Sequence, residues 1–268
     1  LFKWVGGKRK HLPQIKSLLP DSYGTYHEVF AGGAALYFDL EPRLAMLSDA
    51  SMHNVNFFKA VGVACADLID QVNVVAGSYN QAGKGERRRQ FEGLRTSYNE
   101  RNAAGWQIIH VGQATGFYGV LYAGYNGLWR LNRKGELNTP FGDGVGEIPC
   151  DAAAFWQAHK LLSRTVIRRL DFAKAMKDAA AGDFVFADPP YMDQFDGYTG
   201  NKFGVAEHYK LYLAVEDARK RGAAVMVTTN DHGYIRGLYS KKHYRIAEMS
   251  RMQTISCKGG ERGATGDI

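Results

Sequence analysis

The sequence predicts an α/β protein built on a doubly wound mixed sheet, with a second subdomain inserted into the sheet domain. Toward both ends of the chain, short apolar segments of strand length alternate with apolar residues at helical spacing. Between these ends, Gly, Asn, Tyr and Arg become frequent and the alternation stops. We therefore expect residues 1–60 and 146–268 to form the sheet domain and residues 61–145 to form the insertion.

The composition is that of a folded, basic protein. Hydrophobic residues make up 45% of the 268 positions, which is enough for a sizeable core. The formal net charge of +7 favours a polyanionic partner such as nucleic acid, because basic surfaces attract phosphates. No apolar run reaches the roughly 18 residues that a membrane-spanning helix needs. We expect a cytoplasmic protein with no membrane partner.

The cysteines indicate reduced thiols. Cys65, Cys150 and Cys257 are odd in number, far apart and not flanked by histidines at ligand spacing. This pattern predicts neither a disulfide framework nor a metal site. The chain begins with Leu1 instead of Met, so we expect the natural N-terminus to lie upstream.

The first element is a glycine turn that leads into a helix. Gly6 and Gly7 permit a turn with positive φ, Lys8 follows them, and Leu12 and Ile15 begin a helical spacing. The arrangement indicates an anion site at a helix N-terminus, although an ordinary turn fits the local residues equally well.

The second unit is a strand, a glycine turn and a helix, at residues 26–30, 31–34 and 35–40. This order brings a cofactor close to the backbone in open α/β sheets. A second strand at residues 44–47 leads to Asp49, which is placed to accept ribose hydroxyl groups. Because the full Gly-x-Gly-x-x-Gly pattern is missing, a cofactor with one nucleoside fits better than a dinucleotide.

The insertion mixes basic side chains with aromatics and amides. Residues 55–72 have the spacing of one helix, residues 81–89 are rich in Gly and Arg, and residues 122–138 are rich in Tyr, Asn and Arg. This mixture suits nucleic acid, because Arg and Lys contact phosphates or guanine, Asn contacts adenine and Tyr stacks on bases. A solvated, loop-rich subdomain is the alternative.

The alternating pattern resumes after the insertion. Asp151 is placed to cap a helix that contains Phe155 and Leu162. The pattern then predicts strands at 166–169, 183–187, 224–229 and 244–249, and a helix at 206–221.

The strand at 183–187 ends in Asp188-Pro189-Pro190-Tyr191. Proline cannot donate to a sheet ladder, so the strand stops and Asp188 extends beyond its carboxyl end. A rigid carboxylate, the carbonyl of Pro189 and the ring of Tyr191 can together hold a planar ring that carries an amino group. For this segment taken alone, a proline-stiffened turn with a solvated aspartate is the alternative.

Five segments in order resemble the motifs of the Dam-type (D12 class) adenine-N6-specific DNA methyltransferases. They are residues 3–8, 28–34, 48–50, 125–142 and 188–191. The resemblance implies a Rossmann-like, S-adenosylmethionine-dependent methyltransferase fold in which the insertion is the DNA target-recognition subdomain.

The chain departs from the family in two places. The second glycine of the segment Phe30-Ala31-Gly32-Gly33-Ala34 is one position early for the family's Phe-x-Gly-x-Gly pattern. After a Gly-Gly-x-Arg segment, at residues 259–262 here, the family continues into an apolar strand that we expect beyond Ile268.

The resemblance also implies roles for individual residues. The catalytic residues would be Asp188, Pro189 and Tyr191. The cofactor S-adenosylmethionine would be bound without a metal by Trp4, Lys8, Phe30, Gly32, Asp49 and Asp188. Double-stranded DNA would be contacted by Tyr125, Asn126, Leu128 and Arg130, with Tyr125 wedged into the base stack. We expect GATC as the recognition sequence, and a monomer or weak dimer.

The predicted reaction is methyl transfer to N6 of an adenine flipped out of duplex DNA. Asp188 and the Pro189 carbonyl would accept hydrogen bonds from the amino group and aim its lone pair at the methyl group. A cytosine-N4 methyltransferase shares this chemistry, and a catalytically inactive DNA-binding relative is a second alternative. A cytosine-C5 enzyme would need a cysteine nucleophile, and Cys150 has no strand leading into it. The sequence leaves open whether the enzyme serves restriction–modification, a phage or a housekeeping pathway.

Overall fold

A computed structural model describes most of the chain. The described residues are 1–4, 6–103, 105, 109–143, 146–192, 203–252 and 264–267, and for 250–252 and 264–267 the description is of the backbone alone. Cys257 and the Gly-Gly-x-Arg segment at 259–262 lie outside these residues.

The centre of the molecule is a sheet of five parallel strands in the order β3-β2-β1-β4-β5. The strands are β1 (Tyr26–Glu28), β2 (Ala45–Asp49), β3 (Val166–Arg169), β4 (Phe184–Ala187) and β5 (Ala224–Val227). The strand order reverses between β1 and β4, and open α/β sheets bind ligands beyond the carboxyl ends of the strands at this point. The doubly wound α/β fold is therefore confirmed, and its five described strands are all parallel where a mixed sheet was expected. A separate antiparallel pair consists of β6 (Met249–Met252) and β7 (Ala264–Asp267).

Ten α-helices are assigned within the described residues. They are α1 (Leu12–Lys16), α2 (Ala35–Leu40), α3 (Met52–Val63), α4 (Cys65–Gln81), α5 (Lys84–Ala103), α6 (Val111–Ala123), α7 (Ala152–Leu162), α8 (Phe172–Ala175), α9 (Val205–Lys220) and α10 (Gly233–Leu238). The helix predicted at 35–40 and the strand predicted at 166–169 are confirmed to the residue. Asp151 caps α7 as expected, since its Oδ1 accepts a hydrogen bond from the Ala154 amide at 3.0 Å.

The single helix predicted over residues 55–72 is wrong. The chain bends by 114° between α3 and α4, and Ala64 at the bend has φ −134° and ψ 41°, outside the helical range. Val61 before the bend and Leu68 after it are both fully buried in one core cluster. Both helices pack their apolar faces against the same core. The apolar residues therefore keep a helical spacing through the bend, and this spacing does not reveal where the first helix ends. No single described helix is long and apolar enough to span a membrane; α3 and α4 meet that test only as a pair, across this bend.

The strand predicted at residues 244–249 is misplaced. The described backbone has no strand from 244 to 248, and β6 begins at Met249. Tyr244 instead donates its hydroxyl hydrogen to Glu216 of α9, and His243 contacts the same carboxylate at 2.9 Å. This segment is therefore attached to the protein by side-chain contacts with α9 and not by the hydrogen bonds of a sheet.

The insertion is largely helical. The loop-rich alternative does not hold for residues 84–123, because α5 and α6 occupy most of this stretch. α5 buries Phe91 and Tyr98 and leaves Arg88 and Arg89 exposed to solvent, whereas the half-buried Arg87 and Arg95 donate to backbone carbonyls.

The core lies on both faces of the sheet. Along β4, Phe184 and Phe186 belong to one buried cluster and Val185 and Ala187 to the other, as expected for a strand covered on both sides. The first cluster continues without a break into α4, α5 and α6. The boundaries 61–145 for the insertion stay a prediction, because this shared core joins the predicted insertion to the sheet.

Candidate active site

The predicted site residues stand at the carboxyl edge of the three central strands. In the parallel register, Glu28, Leu47 and Phe186 are level with one another in β1, β2 and β4. Two positions farther along the same three segments stand Phe30, Asp49 and Asp188. The register therefore brings these three residues to one edge, at the switch point of the sheet.

Asp188 forms a largely buried ion pair with Lys8. The Lys8 ammonium lies 2.7 Å from Asp188 Oδ1, and the two side chains are 5% and 19% exposed. Lys8 also donates to the Gly6 carbonyl at 3.2 Å, and its ammonium lies 4.7 Å from the ring centroid of Tyr191. The turn at the start of the chain and the Asp188–Tyr191 segment, which are 180 positions apart in the sequence, thus form one site.

Asp49 joins the ends of β1 and β2. Its Oδ2 accepts a hydrogen bond from the Gly32 amide at 2.8 Å, and its Oδ1 accepts one from the Ser51 amide at 2.8 Å. The buried Asn54 side chain donates to Asp49 Oδ2 and to the Gly32 carbonyl, both at 3.3 Å. These bonds fix the glycine turn against the start of α3.

The glycine turn is shaped to receive the Trp4 ring. Gly32 has a φ of +46°, and a Cβ atom there would lie 2.8 Å from Trp4 Nε1. A Cβ atom at Gly33 would approach Trp4 Cβ to 3.0 Å. At Ala34, where the family pattern has glycine, the backbone is left-handed with φ +48°. The shifted glycine therefore leaves an alanine in a conformation that favours glycine.

The other predicted residues of this edge are packed against protein. Pro189 is buried, and Tyr191 is 7% exposed beneath Lys8. Phe30 stacks on Phe172 with a centroid distance of 5.1 Å, so one face of its ring is covered by the second core cluster.

Sequence reasoning missed four polar residues around this edge: Glu28, Asn54, Thr228 and Asn230. Thr228 donates to Asp188 Oδ1 at 2.8 Å, and the Asn230 side chain bonds the backbone of Met192. For Glu28, Thr228 and Asn230 the signal was position, since each stands in or directly after an apolar segment that ends at the ligand edge; Asn54 lies within α3 and has no such signal.

Glu28 is a buried acid just beneath the site. Its Oε2 accepts hydrogen bonds from the Tyr26 hydroxyl at 2.7 Å and from the Tyr37 amide at 3.3 Å. Burial raises the pKa of Glu28 to about 8, with a further contribution from the charge of Asp188. The folded protein therefore holds this carboxyl in its neutral form at pH 7.

The raised pKa of Glu28 makes stability depend on pH in a defined window. From its ordinary pKa of 4.5 to its folded pKa of about 8, the group is ionised in the unfolded chain and protonated in the folded one. The free energy of unfolding contributed by Glu28 falls as pH rises through this window. We expect Glu28→Gln to stabilise the protein relative to wild type by a few kcal/mol near about pH 9 and by little below pH 4.5.

Urea denaturation of both proteins across this pH range measures the difference. Glu92→Gln, at an exposed position of α5, is the matched control and should show no such trend. A difference between Glu28→Gln and wild type that stays constant with pH would contradict the raised pKa.

Residues 123–142 fold into a compact hairpin that we call the recognition hairpin. Backbone hydrogen bonds join its two arms: the Tyr125 amide to the Pro140 carbonyl at 3.0 Å, the Asn138 amide to the Arg130 carbonyl at 2.9 Å and the Gly142 amide to the Ala123 carbonyl at 2.9 Å. A Cβ atom at Gly127 would lie 3.5 Å from Lys3 Cβ, so the hairpin contacts the segment that carries Trp4 and Lys8.

The predicted DNA-contacting residues lie on the outer side of the recognition hairpin. Tyr125, Asn126 and Arg130 are exposed and Leu128 is half-buried. Arg130 donates from Nε to Asn138 Oδ1 at 2.9 Å and from Nη2 to the Asn138 carbonyl at 3.1 Å, which fixes the plane of its guanidinium.

Trp129 points the opposite way and anchors the recognition hairpin. It is 2% exposed, and its ring centroid lies 4.8 Å from that of Phe117 and 5.1 Å from that of His53. The alternation of exposed and buried residues at 128–130 therefore presents Leu128 and Arg130 outward on a rigid base.

The described cysteines do not form a reactive centre. Cys65 is buried and Cys150 is half-buried, and burial raises the pKa of each thiol. A raised pKa disfavours the thiolate that a cytosine-C5 mechanism requires. Within the described ranges, no group of three or more His, Cys, Asp or Glu side chains is arranged to hold a metal ion.

Comparison with known proteins gives one consistent family. The family profile described as D12 class N6 adenine-specific DNA methyltransferase matches residues 4–255. The Type II methyltransferase M1.LlaDCHI of Lactococcus lactis subsp. cremoris is 28% identical over 99% of this chain and 92% of its own length. The DNA N-6-adenine-methyltransferase of Escherichia phage P1 is 30% identical over 100% of this chain and 34% of its own length. The DNA adenine methylase of Haemophilus influenzae is 26% identical over 93% of this chain and 86% of its own length.

Proposed function

The chain belongs to the D12 class of N6 adenine-specific DNA methyltransferases. We propose that its methyl donor is S-adenosylmethionine and that its target adenine is flipped out of duplex DNA. The observation that carries the proposal is the meeting of Lys8, Asp188 and Tyr191 at the switch point of the sheet. Adenine-N6 methylation of DNA is the activity of the family, so the cytosine-N4 alternative loses its support.

Six residues would bind the cofactor: Trp4, Lys8, Phe30, Gly32, Asp49 and Asp188. The residues present fit such a ligand, because the missing side chains at Gly32 and Gly33 let the Trp4 ring pack directly on the turn whose Gly32 amide bonds Asp49, which brings an aromatic ring and a carboxylate to the same edge of the sheet. Three N–H groups orient the Asp49 carboxylate at the glycine turn, and a carboxylate is an acceptor that suits a ribose hydroxyl. When bound, S-adenosylmethionine supplies a methyl group on a positively charged sulfur.

Asp188, Pro189 and Tyr191 would hold the target adenine. Asp188 and the carbonyl of Pro189 are acceptors that match the two hydrogens of the N6 amino group. The ring of Tyr191 would stack on the base. These residues direct the nitrogen lone pair along one line, and such alignment in a site shielded from water supports transfer without a covalent enzyme intermediate.

The outer side of the recognition hairpin would contact DNA. Tyr125 is 47% exposed on this outer side and suits a wedge in the base stack. Arg130, oriented by Asn138, suits guanine, because arginine to guanine is the commonest specific base contact. Asn126 and Leu128 are the other two residues that would contact the DNA. We propose GATC as the recognition sequence, and a cytoplasmic enzyme that acts as a monomer or weak dimer.

Mapping of the methylated bases tests this proposal. The protein is incubated with labelled S-adenosylmethionine and unmethylated genomic DNA, and the modified bases are identified and located. We expect N6-methyladenine in one short sequence, GATC. N6-methyladenine in another sequence would contradict only the GATC assignment. If S-adenosylmethionine binds but no adenine is labelled, the proposal fails and the alternative of an inactive DNA-binding relative is favoured.

A further inference from the structure

Within the part of the chain that the structure describes, the Asp188 carboxylate is held through one of its two oxygens. The Lys8 ammonium lies 2.7 Å from Oδ1, and the Thr228 hydroxyl donates to the same oxygen at 2.8 Å. Among the described residues, no hydrogen bond or ion pair involves Oδ2. A carboxylate can accept on both oxygens, so this arrangement keeps Oδ2 as the acceptor for an incoming donor.

The sheet fixes the position of Thr228. The last register pair of β4 and β5 is Ala187 with Val227, and the Thr228 amide then donates to the Ala187 carbonyl at 2.9 Å. Asp188 and Thr228 are thus the next residues on two adjacent parallel chains. Thr228 is 2% exposed and β-branched, so its hydroxyl has restricted rotation and little access to water.

The same segment also holds the far end of the Asp188–Tyr191 turn. Asn230 Oδ1 accepts a hydrogen bond from the Met192 amide at 3.0 Å, and Asn230 Nδ2 donates to the Met192 carbonyl at 3.3 Å. The residues that follow β5 therefore bind the first residue of the turn, Asp188, and the residue directly after it, Met192.

We propose that Thr228 is a positioning residue for methyl transfer, whose hydroxyl orients the Asp188 carboxylate so that Oδ2 faces the target amino group. Lys8 cannot supply this orientation alone, because its ammonium is a point charge on a flexible stem. The Thr228 hydroxyl is directional and is carried by the sheet itself. This inference rests on the proposed role of Asp188 as the acceptor for the adenine amino group.

Thr228→Val tests the inference, because it removes the hydroxyl and keeps the β-branched shape. We expect the single-turnover rate of methylation at saturating DNA and cofactor to fall about ten- to a hundredfold, since a hydrogen bond to a charged group is lost. Dissociation constants for S-adenosylmethionine and DNA should stay within about threefold of wild type, because the substitution affects orientation and leaves the binding contacts in place. Thr228→Ser restores the hydroxyl and should recover most of the rate.

Thr229→Val is the matched control. Thr229 is equally buried, but its hydroxyl lies 3.5 Å from Asn230 Oδ1 and, among the described residues, forms no hydrogen bond with Asp188. The inference is overturned if Thr228→Val keeps the wild-type rate, if Thr229→Val loses as much, or if Thr228→Ser recovers nothing. If wild type makes N6-methyladenine and Thr228→Val does so equally fast, only the positioning role fails. If wild type methylates no adenine, the proposed function fails as well.

Discussion

Replacing Asp188 by Asn is expected to slow adenine methylation by at least about a hundredfold, which would identify its carboxylate as the acceptor for the target amine. An amide of the same shape has one neutral acceptor oxygen and one donor group, so it cannot accept at once from Thr228, Lys8 and the amine. Single-turnover rates with saturating DNA and S-adenosylmethionine measure the loss. DNA affinity should stay within about threefold of wild type, because the proposed base contacts lie on the recognition hairpin.

Replacing Asp188 by Asn also removes the negative charge that pairs with the buried Lys8 ammonium. Lys8 is 5% exposed, and a buried charge whose partner is removed destabilises a protein. We expect Asp188→Asn to lower the free energy of unfolding by about 1–3 kcal/mol and Asp188→Ala to lower it further. Asp39→Asn is the control, since Asp39 pairs with Lys16 at 2.8 Å in a more exposed setting and lies on α2. Wild-type turnover in Asp188→Asn would refute the assignment of the active site.

Replacing Asp49 by Ala is expected to reduce the affinity for S-adenosylmethionine by about thirtyfold or more, because a charge-assisted hydrogen bond to the ribose is lost. The same change leaves the Gly32 amide, the Ser51 amide and the Asn54 side chain without their shared acceptor. We therefore expect the free energy of unfolding to fall by about 2–4 kcal/mol. Isothermal titration with the cofactor and urea denaturation measure the two effects.

Asp151→Ala is the control for the Asp49 variant. It removes an aspartate that caps α7 at an exposed position, so it should cost about 1 kcal/mol of stability and leave cofactor affinity unchanged. If Asp49→Ala loses stability but binds the cofactor as wild type does, Asp49 serves the fold alone. If it loses affinity without stability, the hydrogen bonds to the glycine turn contribute less than their geometry indicates.

The start of α3 connects the cofactor edge to the recognition hairpin. Asn54 bonds Asp49 and the glycine turn, while the preceding residue, His53, contacts the hydroxyl of Tyr98 and the ring of Trp129. Burial lowers the pKa of His53 to about 4, so this histidine is neutral at pH 7 and acts as a packed, uncharged partner. One helical turn thus supports both the predicted cofactor site and the predicted DNA-contacting surface.

The α/β class and the family can be predicted from the amino-acid sequence. Strand-length apolar segments, the glycine turn after residues 26–30 and the prolines after Asp188 are local signals, and each reflects backbone chemistry that acts within a few residues. For the same reason the helix at 35–40 and the strand at 166–169 were predicted to the residue. Segments that resemble family motifs then pointed to adenine-N6 methylation of DNA, and comparison with known proteins confirms this family.

How these segments contact one another could not be predicted from local sequence and follows from the packing of the chain. The bend at Ala64, the loss of a strand at 244–248 and the burial of Glu28 depend on what packs against each residue, which periodicity does not encode. Thr228 belongs to no motif that the sequence analysis identified. It contacts Asp188 because the two residues directly follow the paired ends of the parallel strands β4 and β5. Local propensity selects the elements of this protein, whereas the positions of its polar groups at the sheet edge follow from strand order and register.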